Sequence, residues 1–119
     1  MTVRVRRVRG QRDPDDGTRV LVDRLWPRGL AKADADHDRW LRAVAPSTEL
    51  RRWFGHDPDR FAEFARRYRA ELDAEPAASA LADLRATAAA GPLTLLTATR
   101  DVDTSHARVL SDVIDGTAR

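Results

Sequence analysis

Two stretches, Arg19-Val20-Leu21-Val22-Asp23-Arg24 and Leu93-Thr94-Leu95-Leu96-Thr97-Ala98-Thr99-Arg100-Asp101, decide the fold. Each is a short apolar run that stops abruptly at a charge pair. A half-buried strand would alternate polar and apolar residues, whereas an unbroken apolar run fits a strand covered on both faces, as in a parallel sheet. About 70 residues separate the two runs, far more than a simple crossover needs, so that segment must hold several helices. Strands with helices between and after them imply a parallel β-helix-β arrangement. The expected fold is α/β: a small, mostly parallel sheet flanked by helices, with a helical insertion between its two central strands, in one domain over residues 1–119.

The flanking sequence supports that frame. Val3-Arg4-Val5-Arg6 alternates with period two and reads as a further strand, which loses its pattern at Arg7-Val8. Asp13-Pro14-Asp15-Asp16-Gly17 and Trp26-Pro27-Arg28-Gly29 are turns, with Pro and Gly at positions that need their special dihedrals. Residues 33–45 are expected to be helical, with Trp40, Leu41 and Val44 on one side and Pro46 as the stop. Ser47 or Thr48 can cap a short helix through Leu50, Trp53 and Phe54, closed by Gly55. From Asp57-Pro58 onward, Phe61, Phe64, Ala65, Tyr68 and Leu72 follow the spacing of one buried helical face. Pro76 opens an Ala-rich helix that ends at Gly91-Pro92, and Ala107, Leu110, Val113 and Ile114 mark the last one.

Composition narrows the functional classes. At 119 residues, with 42% hydrophobic and 34% charged residues, the chain is ordinary for a globular domain and long enough for a modest core. The absence of cysteine excludes a disulfide framework, a thiol nucleophile and thiolate metal sites. No apolar run reaches the roughly 18 residues of a membrane span, and the Arg-rich start lacks the apolar stretch of a secretory signal, so a cytoplasmic protein without a membrane partner is expected. Net charge is only +2, but residues 1–28 hold eight Arg against four Asp. That local excess suits an anionic partner and is weaker than the stripe of a dedicated nucleic-acid binder.

Ligands of parallel α/β sheets bind outside the carboxyl ends of the strands, where loops and helix N-termini converge. Parallel neighbours would bring Asp23-Arg24 and Arg100-Asp101 to that edge together, with Arg28 after the first strand and His106 after the second. The candidate catalytic residues are therefore Asp23, Asp101 and His106. The candidate ligand-binding residues are Arg7, Arg24, Trp26, Arg28, His56 and Arg100. His106, in the first turn of the last helix, would meet the positive helix end, which favours a neutral imidazole and base chemistry. The same charged groups could instead form a buried ion pair that only holds the loops. Trp26 stands on a Pro-turn beside two arginines and could line a pocket, whereas Trp40 and Trp53 read as core. His37, His56 and His106 lack the spacing of a metal motif, so no metal is expected. No Gly-rich phosphate loop or serine elbow is present.

The stretches from Arg19 to Leu30 and from Ala45 to Pro58 resemble the hallmark segments of the YeaO-like proteins, small bacterial proteins of a domain-of-unknown-function family. The likeness extends through Phe64, Tyr68, Glu71-Leu72, Thr94-Leu95-Leu96 and His106-Ala107. It implies a compact α/β cytoplasmic protein and brings no established reaction or cofactor. The chain departs from the pattern at Thr97, where an aromatic is common, at Ser105, where Asn usually precedes the histidine, and at Arg9, which replaces a typical Tyr. The residues support three readings. One is an enzyme, or a ligand-binding remnant of one, for a small phosphate-bearing or nucleotide-like anion. The second is a nucleic-acid-associated module, and the third a non-catalytic interaction protein.

Overall fold

The two charge-terminated runs lie side by side and point the same way. In the computed structural model, which describes residues 3–116, the strands are β1 (Val3–Arg7), β2 (Thr18–Leu21), β3 (Arg39–Trp40) and β4 (Leu93–Thr97). Their spatial order is β1-β4-β2-β3, and every neighbouring pair is parallel. The register sets Val20 opposite Leu95 and Leu21 opposite Leu96, so β2 and β4 finish at one rim. Their starts are also aligned, because Thr18 N–H donates to the Pro92 carbonyl at 3.1 Å. Gly17 makes that approach possible. It has φ +65°, and a Cβ there would lie 2.3 Å from the Pro92 oxygen, a backbone clash that no rotamer can relieve.

Four helices, α1 (Thr48–Phe54), α2 (Phe61–Leu72), α3 (Ala77–Ala90) and α4 (His106–Ile114), carry the main core. Their buried side chains pack with Val3, Val5, Val20, Val22, Leu93 and Leu95, alternate residues that face one side of the sheet. On the other side Val8, Leu21 and Leu96 pack with Trp26, Leu30 and Trp40, so loops rather than helices cover that face. Both faces are thus closed, which accounts for β4 being buried at all five positions. None of the described helices is long and apolar enough to cross a membrane.

The expectation of a helix over 33–45 is not met. That segment holds a 3-10 turn at Lys32–Asp34, the short strand β3 and a second 3-10 turn at Arg42–Val44. The reason is a tertiary pairing that outcompetes a polar, Asp-rich helix. Asp38 N–H donates to the Arg19 carbonyl and Leu41 N–H to the Leu21 carbonyl, while the Asp38 carboxylate accepts the Arg19 N–H at 2.8 Å. Trp40 is therefore a strand residue of the second cluster. Its indole N–H donates to the Asp23 carbonyl at 2.8 Å, tying the edge strand to the rim where the site forms.

Candidate functional site

Asp23 organises the rim. Val22 extends the ladder by one bond, donating its N–H to the Leu96 carbonyl at 3.1 Å, and the chain then turns away. The Asp23 carboxylate reaches back to the end of β4, accepting the Ala98 N–H and the Thr97 hydroxyl, each at 2.8 Å. His106, the first residue of α4, adds the third partner, with Nε2 3.3 Å from Asp23 Oδ1 and 3.0 Å from the Val22 carbonyl oxygen. Both of those neighbours are acceptors, so Nε2 carries the proton and donates. Burial pushes the Asp23 carboxyl up. The hydrogen bond and charge of His106, the Ala98 N–H and the Thr97 hydroxyl outweigh it and hold the carboxyl below the usual range.

Ser105 seats α4 by accepting the Arg108 N–H and donating to the Val102 carbonyl, a standard helix start. The His106 ring meets the Tyr68 ring edge-on at 6.1 Å, and the Tyr68 hydroxyl donates to the Val44 carbonyl at 2.6 Å. Burial pushes the Tyr68 phenol up, so it stays protonated and keeps that bond. Arg24 spans the rim by donating Nε to the Pro46 carbonyl at 3.1 Å and Nη2 to the Ala45 carbonyl at 3.2 Å. It fixes the loop that leads into α1.

Ser47 caps α1 through a 3.1 Å bond from the Leu50 N–H, and Glu71 of α2 accepts both the Ser47 N–H and its hydroxyl. Leu50 and Phe54 face the core, so helical spacing turns Arg51 and Arg52 outward. The helix ends on Gly55 at φ 55°, and His56 follows at φ 56°. A left-handed conformation strains any residue with a Cβ. His56→Gly is accordingly expected to raise the free energy of unfolding by about 0.5–1 kcal/mol, measured as an increase in the urea midpoint. A lower midpoint would show that the His56 ring contributes more than its backbone strain removes.

These elements enclose a cavity of about 750 Å³. Asp23, Arg24, Trp26, Arg28, His56 and His106 line it, and so do Arg51, Arg52, Thr99 and Ser105. Arg7, Arg100 and Asp101 are not among its lining residues. Arg7 ends β1 on an exposed position. Arg100 is also exposed, and the Asp101 carboxylate accepts the Asp103 N–H at 3.2 Å, capping the turn Val102–Thr104. Reading along the chain missed Arg51 and Arg52, although two adjacent arginines between apolar partners at 50 and 54 could have marked an outward-facing cationic step. Trp26 is held by its own packing, with its indole N–H on the Leu30 carbonyl at 2.6 Å and its ring edge-on to His37 and Trp40.

Among the described residues, the guanidiniums of Arg28, Arg51 and Arg52 make no hydrogen bond or ion pair. The cavity therefore presents three exposed cations that pair with no carboxylate among the described residues. No group of three or more His, Asp or Glu side chains able to hold a metal occurs among the described residues.

Comparison with known proteins places this geometry in context. The family described as "Inactive DUF488-N3 subclade" matches residues 2–118. An uncharacterized protein of Mycobacterium tuberculosis is 51% identical over 114 residues, covering 96% of this chain and 94% of that protein. A Mycobacterium bovis protein, also named as uncharacterized, has the same identity and coverage. The uncharacterized protein YeaO of Escherichia coli is 42% identical over 113 residues, covering 94% of this chain and 96% of its own length. No solved structure matches.

Proposed function

Because this chain is a YeaO-like protein and belongs to the inactive DUF488-N3 subclade, we propose that its cavity binds a small phosphate-bearing anion and holds it without turnover. The observation that carries this reading is the convergence of three unpaired guanidiniums on one concave site at the carboxyl edge of a parallel sheet. Guanidinium forks match phosphate oxygens in pairs, and a partly enclosed site strengthens each contact. The start of α4 adds a modest positive potential from its backbone dipoles.

Binding without turnover is supported by how Asp23 is engaged. Its carboxylate already takes three donors, and its affinity for a proton is lowered. A carboxylate so satisfied is a weak general base, so its part is to orient His106 and hold the rim. The basic N-terminal third gives less support to nucleic-acid binding, because Arg4, Arg6, Arg12 and Arg19 are drawn into ion pairs with Asp13, Asp15, Asp16, Asp36 and Asp38.

A thermal-shift screen with phosphorylated metabolites, followed by calorimetric titration of the hits, tests the reading. Arg28→Ala is expected to weaken the best phosphate-bearing hit about tenfold, since a hydrogen bond to a charged group contributes about 1.5–3 kcal/mol. Its melting temperature should hardly change. Unaltered affinity in Arg28→Ala and in Arg51→Ala would remove the cavity from consideration as the anion site.

A further inference from the structure

The same cavity also limits what kind of phosphate it suits. Four guanidiniums, those of Arg24, Arg28, Arg51 and Arg52, line the cavity with a single carboxylate, Asp23, an excess of three positive charges among these groups. A phosphate monoester brings about −1.5 to −2 at pH 7, short of a match. The cations also come from two separate segments of the chain. Arg24 and Arg28 stand on the segment after β2, whereas Arg51 and Arg52 stand on α1, with His56 just past its end. The cavity, at about 750 Å³, lies in the upper part of the range found for sites of drug-sized ligands, far beyond the needs of one phosphate. Its rim carries Leu25, 60% exposed and the one exposed large hydrophobic side chain among the described residues.

We propose that the ligand is an ester of diphosphate, a nucleoside diphosphate by class, its two phosphoryl groups shared among the arginines of the two segments and its organic body over Leu25. This rests on the anion-binding reading above and goes beyond it in requiring two phosphoryl groups. Arg51 and Arg52 then act as the determinants of diphosphate over monophosphate. Both are exposed, and among the described residues their guanidiniums make no hydrogen bond or ion pair, so truncating the side chains should leave the fold in place. Arg24 also holds backbone carbonyls, which makes it a poorer probe of ligand preference.

Calorimetric titration of the intact chain with orthophosphate, pyrophosphate, a set of nucleoside monophosphates and the matching diphosphates provides the test. Pyrophosphate should bind at least tenfold tighter than orthophosphate, and at least one nucleoside diphosphate tighter again. The double variant Arg51→Ala/Arg52→Ala should retain the wild-type melting temperature while its preference for diphosphate over monophosphate shrinks to less than threefold. Leu25→Ser should reduce the advantage of the nucleoside diphosphate over bare pyrophosphate and leave pyrophosphate affinity as it was. Equal affinity for orthophosphate and pyrophosphate would overturn this inference and leave the anion site standing. Binding of none of these compounds would remove the anion-binding reading as well.

Discussion

Asp16→Ala is expected to lower the free energy of unfolding by about 3–5 kcal/mol, the range for stripping one partner from a buried ion pair. The Asp16 and Arg19 side chains are both fully buried and meet at 2.5 Å. Arg19 lies on the loop-covered face of the sheet, where it also donates to the Asp36 and Gly10 carbonyls. Asp16 accepts the Asp13 N–H at 3.0 Å and faces the Arg6 guanidinium at 2.9 Å. Removing the carboxylate strands the Arg19 cation away from water, and its two carbonyl partners cannot neutralise it. The double replacement Asp16→Leu/Arg19→Met should recover most of the loss, because exchanging both ions for apolar groups avoids the uncompensated charge. Urea denaturation of the single and double variants measures both effects. A loss under about 1 kcal/mol for Asp16→Ala would mean that water reaches the guanidinium.

The same pair makes stability depend on pH. Burial pushes the Asp16 carboxyl up, but the Asp13 N–H and the Arg19 and Arg6 guanidiniums hold it below its ordinary value. Asp38 is lowered too, chiefly by the Arg19 N–H. A carboxyl whose folded value is depressed adds stability above its unfolded value, near about 4, and that stability is lost as pH falls toward the folded value. The wild type should therefore weaken on acidification below about pH 4, and Asp16→Ala should flatten part of that decline.

Asp23→Ala is expected to cost about 2–4 kcal/mol and to loosen the site as well. Three donors, the Ala98 N–H, the Thr97 hydroxyl and His106 Nε2–H, converge on a carboxylate that is only 15% exposed. His106 keeps the Val22 carbonyl as a second acceptor, so the penalty stays below the sum of three orphaned donors. Asp23→Asn should cost about half as much, since its amide oxygen can take the Oδ2 place and accept from Ala98, while the Thr97 hydroxyl turns to accept from the NH₂ in the Oδ1 place. Its NH₂ would then confront the Nε2 proton, and the His106 tautomer should shift, which nitrogen NMR of the imidazole reads directly. An unchanged tautomer together with unchanged stability would mean that Asp23 neither positions His106 nor anchors the rim.

Much of this site could be read along the chain, for definite reasons. Residues 19–24 and 93–101 announce strands closed on both faces, because only full burial calls for apolar side chains at consecutive positions. Parallel neighbours of that kind must deliver their succeeding residues to one rim, and Asp23 and His106 do meet there. Other features have no local signature. The strand Arg39–Trp40 exists only because the free edge of β2 offers the Arg19 and Leu21 carbonyls to Asp38 and Leu41, and no periodicity over two residues can report that.

The sequence by itself determined the two central strands, their shared direction and their charged ends, since burial dictates residue type position by position. Only the tertiary structure decided which charges share the cavity. Arg51 and Arg52 enter it because Leu50 and Phe54 turn inward, while Asp101 is drawn into capping its own turn. Where a long charged side chain ends up depends on which partner lies within reach after folding, and that partner is usually distant in the chain.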